Sequence, residues 1–322
     1  MEPWHYGSCQ KTQIYIMETI RYIDAACYHA APFFMHHLEE EIPEPYRRDG
    51  ELLTVLGETR KAYWVRNIWK KPFIAEFDSI NDAAKTLRAI QRNWAVYPFR
   101  LARRASLIAK ALPRLPSKPK VFPFELPDNP MGAYTLLDEN HLMASAICSS
   151  PWPNGELVFE EDREEAPSRA YRKLWEAFLL AGSMPQPGEH CLDAGASPGG
   201  WSWALARLGA RVTAIDRAEL DSRIAALPQI SFIKHNAFSM DPKELGPVDW
   251  LFSDIICYPP KLYEWVCKWL ESGLCKNFIC TIKMQGNSWD KETVQRFAEI
   301  PGSKIEHLWH NKHELSWVLV QN

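Results

Sequence analysis

Cys191-Leu192-Asp193-Ala194-Gly195-Ala196-Ser197-Pro198-Gly199-Gly200-Trp201 is the stretch whose reading decides the fold. A short apolar run ends in an acid, a glycine-rich loop follows, and a helical pattern begins. Glycines in such a loop let the backbone pass close to a ligand. The spacing is not that of the dinucleotide fingerprint G-x-G-x-x-G, because Pro198 interrupts it. Nor is there a Gly-Lys-Ser/Thr loop of the kind that cradles a nucleoside triphosphate.

Working outward, strand and helix signals alternate after about residue 166. A helix is predicted over 168–181, strands over 190–193, 211–216, 230–234, 249–254 and 277–283, and helices over 201–208 and 262–271. That order predicts an α/β domain built on an open, mostly parallel, Rossmann-like sheet. Segments 304–309 and 314–320 follow as an expected antiparallel hairpin at its end. In such sheets a ligand lies outside the carboxyl ends of the strands. Asp216 ends the strand after the loop, where a carboxylate can accept hydrogen bonds from both ribose hydroxyls of an adenosine.

The string Asp-x-Gly-x-x-Pro-Gly-Gly-Trp resembles motif I of the FtsJ-type ribose 2′-O-methyltransferases. The resemblance implies S-adenosylmethionine as cofactor. Ser168, Asp193, Gly195, Ser197, Pro198, Gly199, Gly200 and Trp201 would border it, with Asp254 beside its methyl group and Asp216 on its ribose. Asn236 stands where that family commonly has an acid near the adenine, and an amide oxygen can still accept a bond there.

Methyl transfer to a ribose hydroxyl needs the hydroxyl aimed at the sulfonium methyl, an exit for its proton, and a cofactor held still. No metal is expected, since the sulfonium carries its own leaving group. A lysine acts as base only when neutral, and burial or a nearby like charge lowers its pKa. Lys173, Asp254, Lys283 and Glu314 match in order and context the Lys-Asp-Lys-Glu tetrad of the same family. By that resemblance Lys283 is the general base, Asp254 steadies the lysines, and Lys173 and Glu314 orient the substrate and tune Lys283.

Over roughly residues 135–322 the chain is most similar to the RlmM family, which methylates a cytidine ribose of bacterial 23S ribosomal RNA. Ser149-Ser150-Pro151-Trp152-Pro153, Ala166-Pro167-Ser168-Arg169 and Leu308-Trp309-His310-Asn311 carry that likeness beside the loop. The resemblance implies an N-terminal α+β, THUMP-like RNA-binding region, although the first 65 residues match it only loosely. The Pro151–Gly155 turn is the expected boundary, giving an RNA-binding region over 1–155 and a methyltransferase domain over 156–322.

Within the N-terminal part, Ser79-Ile80-Asn81-Asp82 reads as a helix cap. The helix after it should carry Ala83, Leu87, Ile90 and Trp94 on one face, and a second should run over 99–112. Six prolines between 113 and 130 predict an extended connector, and 133–137 with 142–148 predict a hairpin. His36-His37-Leu38-Glu39-Glu40-Glu41 reads as the polar face and end of a helix.

The 322 residues are 46% hydrophobic and 24% charged, with a net charge of −3, so bulk charge does not announce a nucleic-acid partner. Between Lys85 and Lys120, however, there are ten Lys or Arg and no Asp or Glu. Basic groups with Trp94, Tyr97 and Phe99 suit phosphates and unpaired bases, which makes Arg88, Arg92, Arg100, Arg103, Arg104 and Lys110 the RNA-binding candidates. A solvated helix face is the alternative. The acidic run 160–165 should lie off any RNA path. Eight cysteines without a C-x-x-C pair, and a start lacking signal-peptide character, predict reduced thiols in a cytoplasmic protein. His307, His310 and His313 alternate faces on a hairpin, which favours packing over metal binding. Two other functions stay open: a small-molecule O-methyltransferase, and a non-catalytic RNA-binding or ribosome-assembly protein.

Overall fold

The computed structural model describes residues 20–43, 45 and 47–321. Cys9 and the leading segment considered for export lie outside them. The chain forms two compact units, one of residues up to Pro119 together with Glu125–Val158, the other of Lys120–Phe124 and residues from Phe159 onward.

The first unit contains β1 (Ile20–Tyr22), β2 (Ala25–Ala30), α1 (Met35–Glu41), β3 (Arg47–Asp49), β4 (Leu52–Leu56), β5 (Val65–Lys70), β6 (Phe73–Glu76), α2 (Ile80–Ile90), β7 (Trp94–Val96), α3 (Ala102–Ala111), β8 (Gly132–Leu136), β9 (His141–Ser145) and β10 (Ile147–Cys148). Its strands make two five-stranded sheets, ordered β1-β6-β9-β8-β7 and β10-β5-β2-β4-β3. The period-two alternation of strands assigns their faces. Ala95, Ala133 and Met143 pack against Cys27, Leu52 and Trp69 of the other sheet. Their neighbours Trp94, Tyr134, Leu142 and Ala144 pack under α2 and α3. Ser79 caps α2 by accepting from the Asp82 amide.

Two expectations need correction here. Trp94 is not on the helix, which ends at Ile90; it opens β7, and its indole Nε1 donates to the carbonyls of Leu87 and Gln91. The spacing looked helical because the ring returns to the helix's open carboxyl end. In α1, His37 and Leu38 are buried rather than polar-facing, and Glu41 accepts from the amides of Tyr63 and Trp64.

The second unit holds α4 (Tyr171–Ala181), β11 (His190–Ala194), α5 (Gly200–Arg207), β12 (Arg211–Asp216), α6 (Ser222–Ala225), β13 (Ile230–Lys234), α7 (Pro242–Leu245), β14 (Trp250–Ser253), α8 (Pro259–Ser272), β15 (Asn277–Lys283), α9 (Lys291–Ala298), β16 (Ser303–Glu306) and β17 (Glu314–Leu319). One seven-stranded sheet runs β13-β12-β11-β14-β15-β17-β16, with β13, β12, β11, β14 and β15 paired in parallel and β17 antiparallel to both of its neighbours, β15 and β16. Strand order reverses at β11, so a crevice opens at the carboxyl ends of β11 and β14. The central strands β11, β14 and β15 are buried nearly throughout and mostly apolar, as burial on both faces requires.

Candidate active site

The Gly-rich loop connects β11 to α5 at that crevice. Gly195 has φ +81°, and a Cβ there would sit 2.4 Å from Ile255 Cγ1. Gly199 caps α5 at φ +112°. A Cβ on Gly200 would meet the Ser168 hydroxyl at 2.4 Å. The loop is thus stripped of side chains where it passes the segments after β14 and before α4. Asp216 accepts from the amides of Ser197 (3.1 Å) and Ala218 (2.9 Å), one on each carboxylate oxygen, leaving a lone pair free on each. Asn236 is half-buried, and its Oδ1 accepts from the Phe238 amide.

Two of the expected cofactor neighbours have side chains turned into the protein. Trp201 is buried, donates from Nε1 to the Ala170 carbonyl and packs edge-on against Phe252, so its indole anchors α5. Asp193 is 1% exposed, accepts from the Ser202 hydroxyl at 2.6 Å, and keeps its other oxygen without a hydrogen bond. Burial raises its carboxyl to about 7 despite the Ser202 bond. An orphaned buried acceptor beneath a side-chain-free cradle, with Asp216 at the rim, fits an adenosyl group carrying an amine.

Four charged groups meet beside this loop. Lys173 Nζ lies 2.9 Å from Asp254 Oδ1 and 2.6 Å from Glu314 Oε1. Lys283 Nζ lies 2.8 Å from Asp254 Oδ1 and 3.4 Å from Glu314 Oε2. The result is a closed ring of two cations and two anions. Lys283 and Glu314 are direct cross-strand partners in β15 and β17. Asp254 follows β14, and Lys173 enters from the first turn of α4. Thr281 donates to Asp254 Oδ1 at 2.6 Å. Reading the sequence missed Thr281, although it stands two residues before Lys283 on the same strand face, where a period-two reading would have found it.

Lys173 keeps its proton: burial lowers its pKa, but Asp254 and Glu314 together outweigh burial and raise it. Burial likewise opposes ionisation of Asp254, yet the two lysines hold its carboxyl below the usual range. The pairs offset each other's desolvation.

Around the ring, Glu176 accepts from the amides of Trp309 and His310 and from His310 Nδ1 at 2.7 Å, fixing the turn that leads into β17. His307 is buried, its Nε2 pairs with the Lys312 carbonyl, and burial lowers it to about 4. No group of His, Cys, Asp or Glu among the described residues is arranged to hold a metal ion. The acidic run is held by arginines: Glu161 pairs with Arg163, Arg169 and Arg172. A cleft of about 370 Å³ floored by Trp203, Ile224 and Leu227 shares no residue with the ring or the Gly-rich loop.

In the first unit, Arg92, Arg103 and Lys110 are exposed. Arg100 is 3.5 Å from Asp49 and covers the Phe99 ring. Arg88 donates to the Ala111 carbonyl at the end of α3, and half-buried Arg104 lies over Phe77. The last two therefore have structural partners inside the unit.

Residues 166–292 match the FtsJ-like methyltransferase family. The chain is similar to the ribosomal RNA large subunit methyltransferase M of Thauera aminoaromatica, at 30% identity over 52% of this chain and 49% of that protein. The same-named protein of Xanthomonas oryzae is 27% identical over 73% of this chain and 68% of that one. The chain thus spans from about half to about two thirds of the length of these relatives. A solved structure, the magnesium protoporphyrin IX methyltransferase of Synechocystis with bound S-adenosylmethionine, is a distant likeness at 18% identity and a TM-score of 0.34, covering 46% of this chain and 75% of that one. No helix among the described residues is long and apolar enough to cross a membrane. A reversed parallel sheet and a bare Gly-rich loop at its crevice lie where the family match falls, and residues 166–292 of this second unit are an FtsJ-like, S-adenosylmethionine-dependent methyltransferase domain.

Proposed function

We propose that the protein transfers a methyl group from S-adenosylmethionine to a ribose 2′-hydroxyl of RNA, with large-subunit ribosomal RNA as the substrate class. The observation that carries this reading is the Lys173–Asp254–Lys283–Glu314 ring at the carboxyl edge of β14 and β15. When bound, the cofactor supplies an electrophilic methyl on a sulfonium. The loop backbone at Gly195, Ser197, Gly199 and Gly200 would hold its amino-acid part, Asp216 its ribose and Asn236 its adenine edge. Ser168 and Pro198 would close the sides.

Lys283, the more exposed of the two lysines at 18% against 9%, is the one a substrate can reach. Its role is to take the hydroxyl proton as the oxygen attacks. Lys173, bonded to both carboxylates and held protonated, is the permanent cation that keeps the ring to a single net negative charge when Lys283 is neutral. Asp254 and Thr281 position Lys283; Glu314 fixes it across the strand pair.

The first unit, THUMP-like in this reading, would bind RNA through exposed Arg92, Arg103 and Lys110 together with Arg100, and Arg88 and Arg104 would support that face. Phosphate contacts of this kind weaken steeply with salt. The test is methyl transfer from labelled cofactor to total RNA, with Lys283→Ala as control. Alkali-resistant label at one linkage, reduced about 100-fold or more in the variant, is the expected result. Label only in small molecules, or cofactor binding without transfer to any RNA, would overturn the assignment.

A further inference from the structure

Residues 254–258, between β14 and α8, run directly from the charged ring. Exposure alternates along them: Ile255 faces Gly195 of the cofactor loop, Ile256 is 80% exposed, Cys257 is half-buried, and Tyr258 is 70% exposed. Burial pushes the Cys257 thiol up to about 11, with Lys261 and Lys283 pulling against it. Alternation of this kind is the mark of an extended chain, and Tyr258 itself has extended angles of φ −67° and ψ 139°. Residues i and i+2 of an extended chain project to one side about 6.6 Å apart. That gap takes one flat ring between two side chains.

Two further observations single out this pair. From Phe159 to Gln321, Ile256 and Tyr258 are the only large hydrophobics that stand exposed among the described residues. Everywhere else in that stretch such side chains are wholly or partly covered, so two on one loop beside the ring mark a contact surface rather than scatter. The loop is also held in place. Pro259 and Pro260 open α8 with fixed φ, and Gln285, just past Lys283, donates from Nε2 to the Cys257 carbonyl at 3.5 Å.

We propose that Ile256 and Tyr258 form a slot for an unpaired nucleobase of the RNA substrate, gripping it between ring and aliphatic side chain on the solvent-facing side of the loop. This inference rests on the RNA-methyltransferase reading and adds an element that holds a nucleotide flanking the target. Aromatic stacking tolerates any base, so the slot positions a splayed nucleotide without selecting its sequence. Single-stranded segments are where such nucleotides occur.

The experiment uses the full chain and short single-stranded RNAs carrying 2-aminopurine, whose fluorescence is quenched on stacking. Wild type and Tyr258→Phe should quench it. Tyr258→Ala and Ile256→Ala should lose most of the quench and raise KM for RNA about 10-fold or more, with cofactor affinity unchanged within about two-fold. Both side chains are exposed, so circular dichroism should show the variants folded. Absence of quench in wild type, or unchanged quench and KM in Tyr258→Ala, would overturn the slot. Quench lost in Tyr258→Ala by a protein that methylates no RNA would support the slot and sink the methyl-transfer reading instead.

Discussion

Replacing Lys173 by Met tests the ring as a physical object. The side chain is 9% exposed and bonds two carboxylates, Asp254 at 2.9 Å and Glu314 at 2.6 Å. Met keeps the length and apolar stem but leaves two buried anions facing one cation. Breaking a buried pair in this way costs about 3–5 kcal/mol. Adding Glu314→Gln restores neutrality, with Lys283 then facing Asp254 alone. The double variant should be more stable than the sum of the singles by about 1–3 kcal/mol, the coupling expected of groups in one network. The chain has two units, so one global unfolding curve would mix their stabilities. Native-state hydrogen exchange at the β15 and β17 amides reads the ring locally. If Lys173→Met alters protection there by less than about 1 kcal/mol, or if the two changes simply add, the ring is not the coupled unit described.

Three other expectations follow from the same geometry. Gly195→Ala places a Cβ 2.4 Å from Ile255 in a backbone conformation at φ +81°; cofactor affinity by calorimetry should fall about 10-fold or more, while Gly57→Ala, at φ +87° with open space around it, should leave that affinity intact. Asp193, raised to about 7 from 3.8, holds a proton in the folded state that the unfolded chain has released. Its contribution is therefore full below about pH 4, declines as pH rises towards 7, and is lost above it, by about 4 kcal/mol at most. Asp193→Asn should flatten the Tm-versus-pH curve over that window; an unchanged slope would show the carboxyl is not the titrating group. Glu176→Gln weakens three bonds to the turn before β17 and should lower stability by about 1–3 kcal/mol, with the exchange-protection loss centred on residues 307–314.

Much of the second unit was legible because its signals are local. Strand runs, the glycine loop and the terminal hairpin each depend on neighbours in the chain, and the observed strands fall within a residue or a few of the expected ones. Helix starts were less legible: α4 begins at Tyr171 rather than 168, with the Ser168 hydroxyl accepting from the Ala170 amide in the turn ahead of it. Trp94 misled because an aromatic ring can reach a helix end from an adjoining strand. His37 misled because Trp64, distant in the chain, covers the face of α1 where His37 also stacks on its neighbour Phe34.

From the sequence alone came the order of strands and helices, the bare loop and the identity of four charged residues. These depend on residue type and short-range spacing, which periodicity records. What only tertiary structure decided is how those charges behave. Lys173 and Asp254 are 81 residues apart, and only the β14–β15–β17 register and the docking of α4 close them into a ring. There, Lys173 keeps its proton because two carboxylates outweigh burial. Coulomb interactions depend on distance through space and on surrounding water, and chain separation encodes neither.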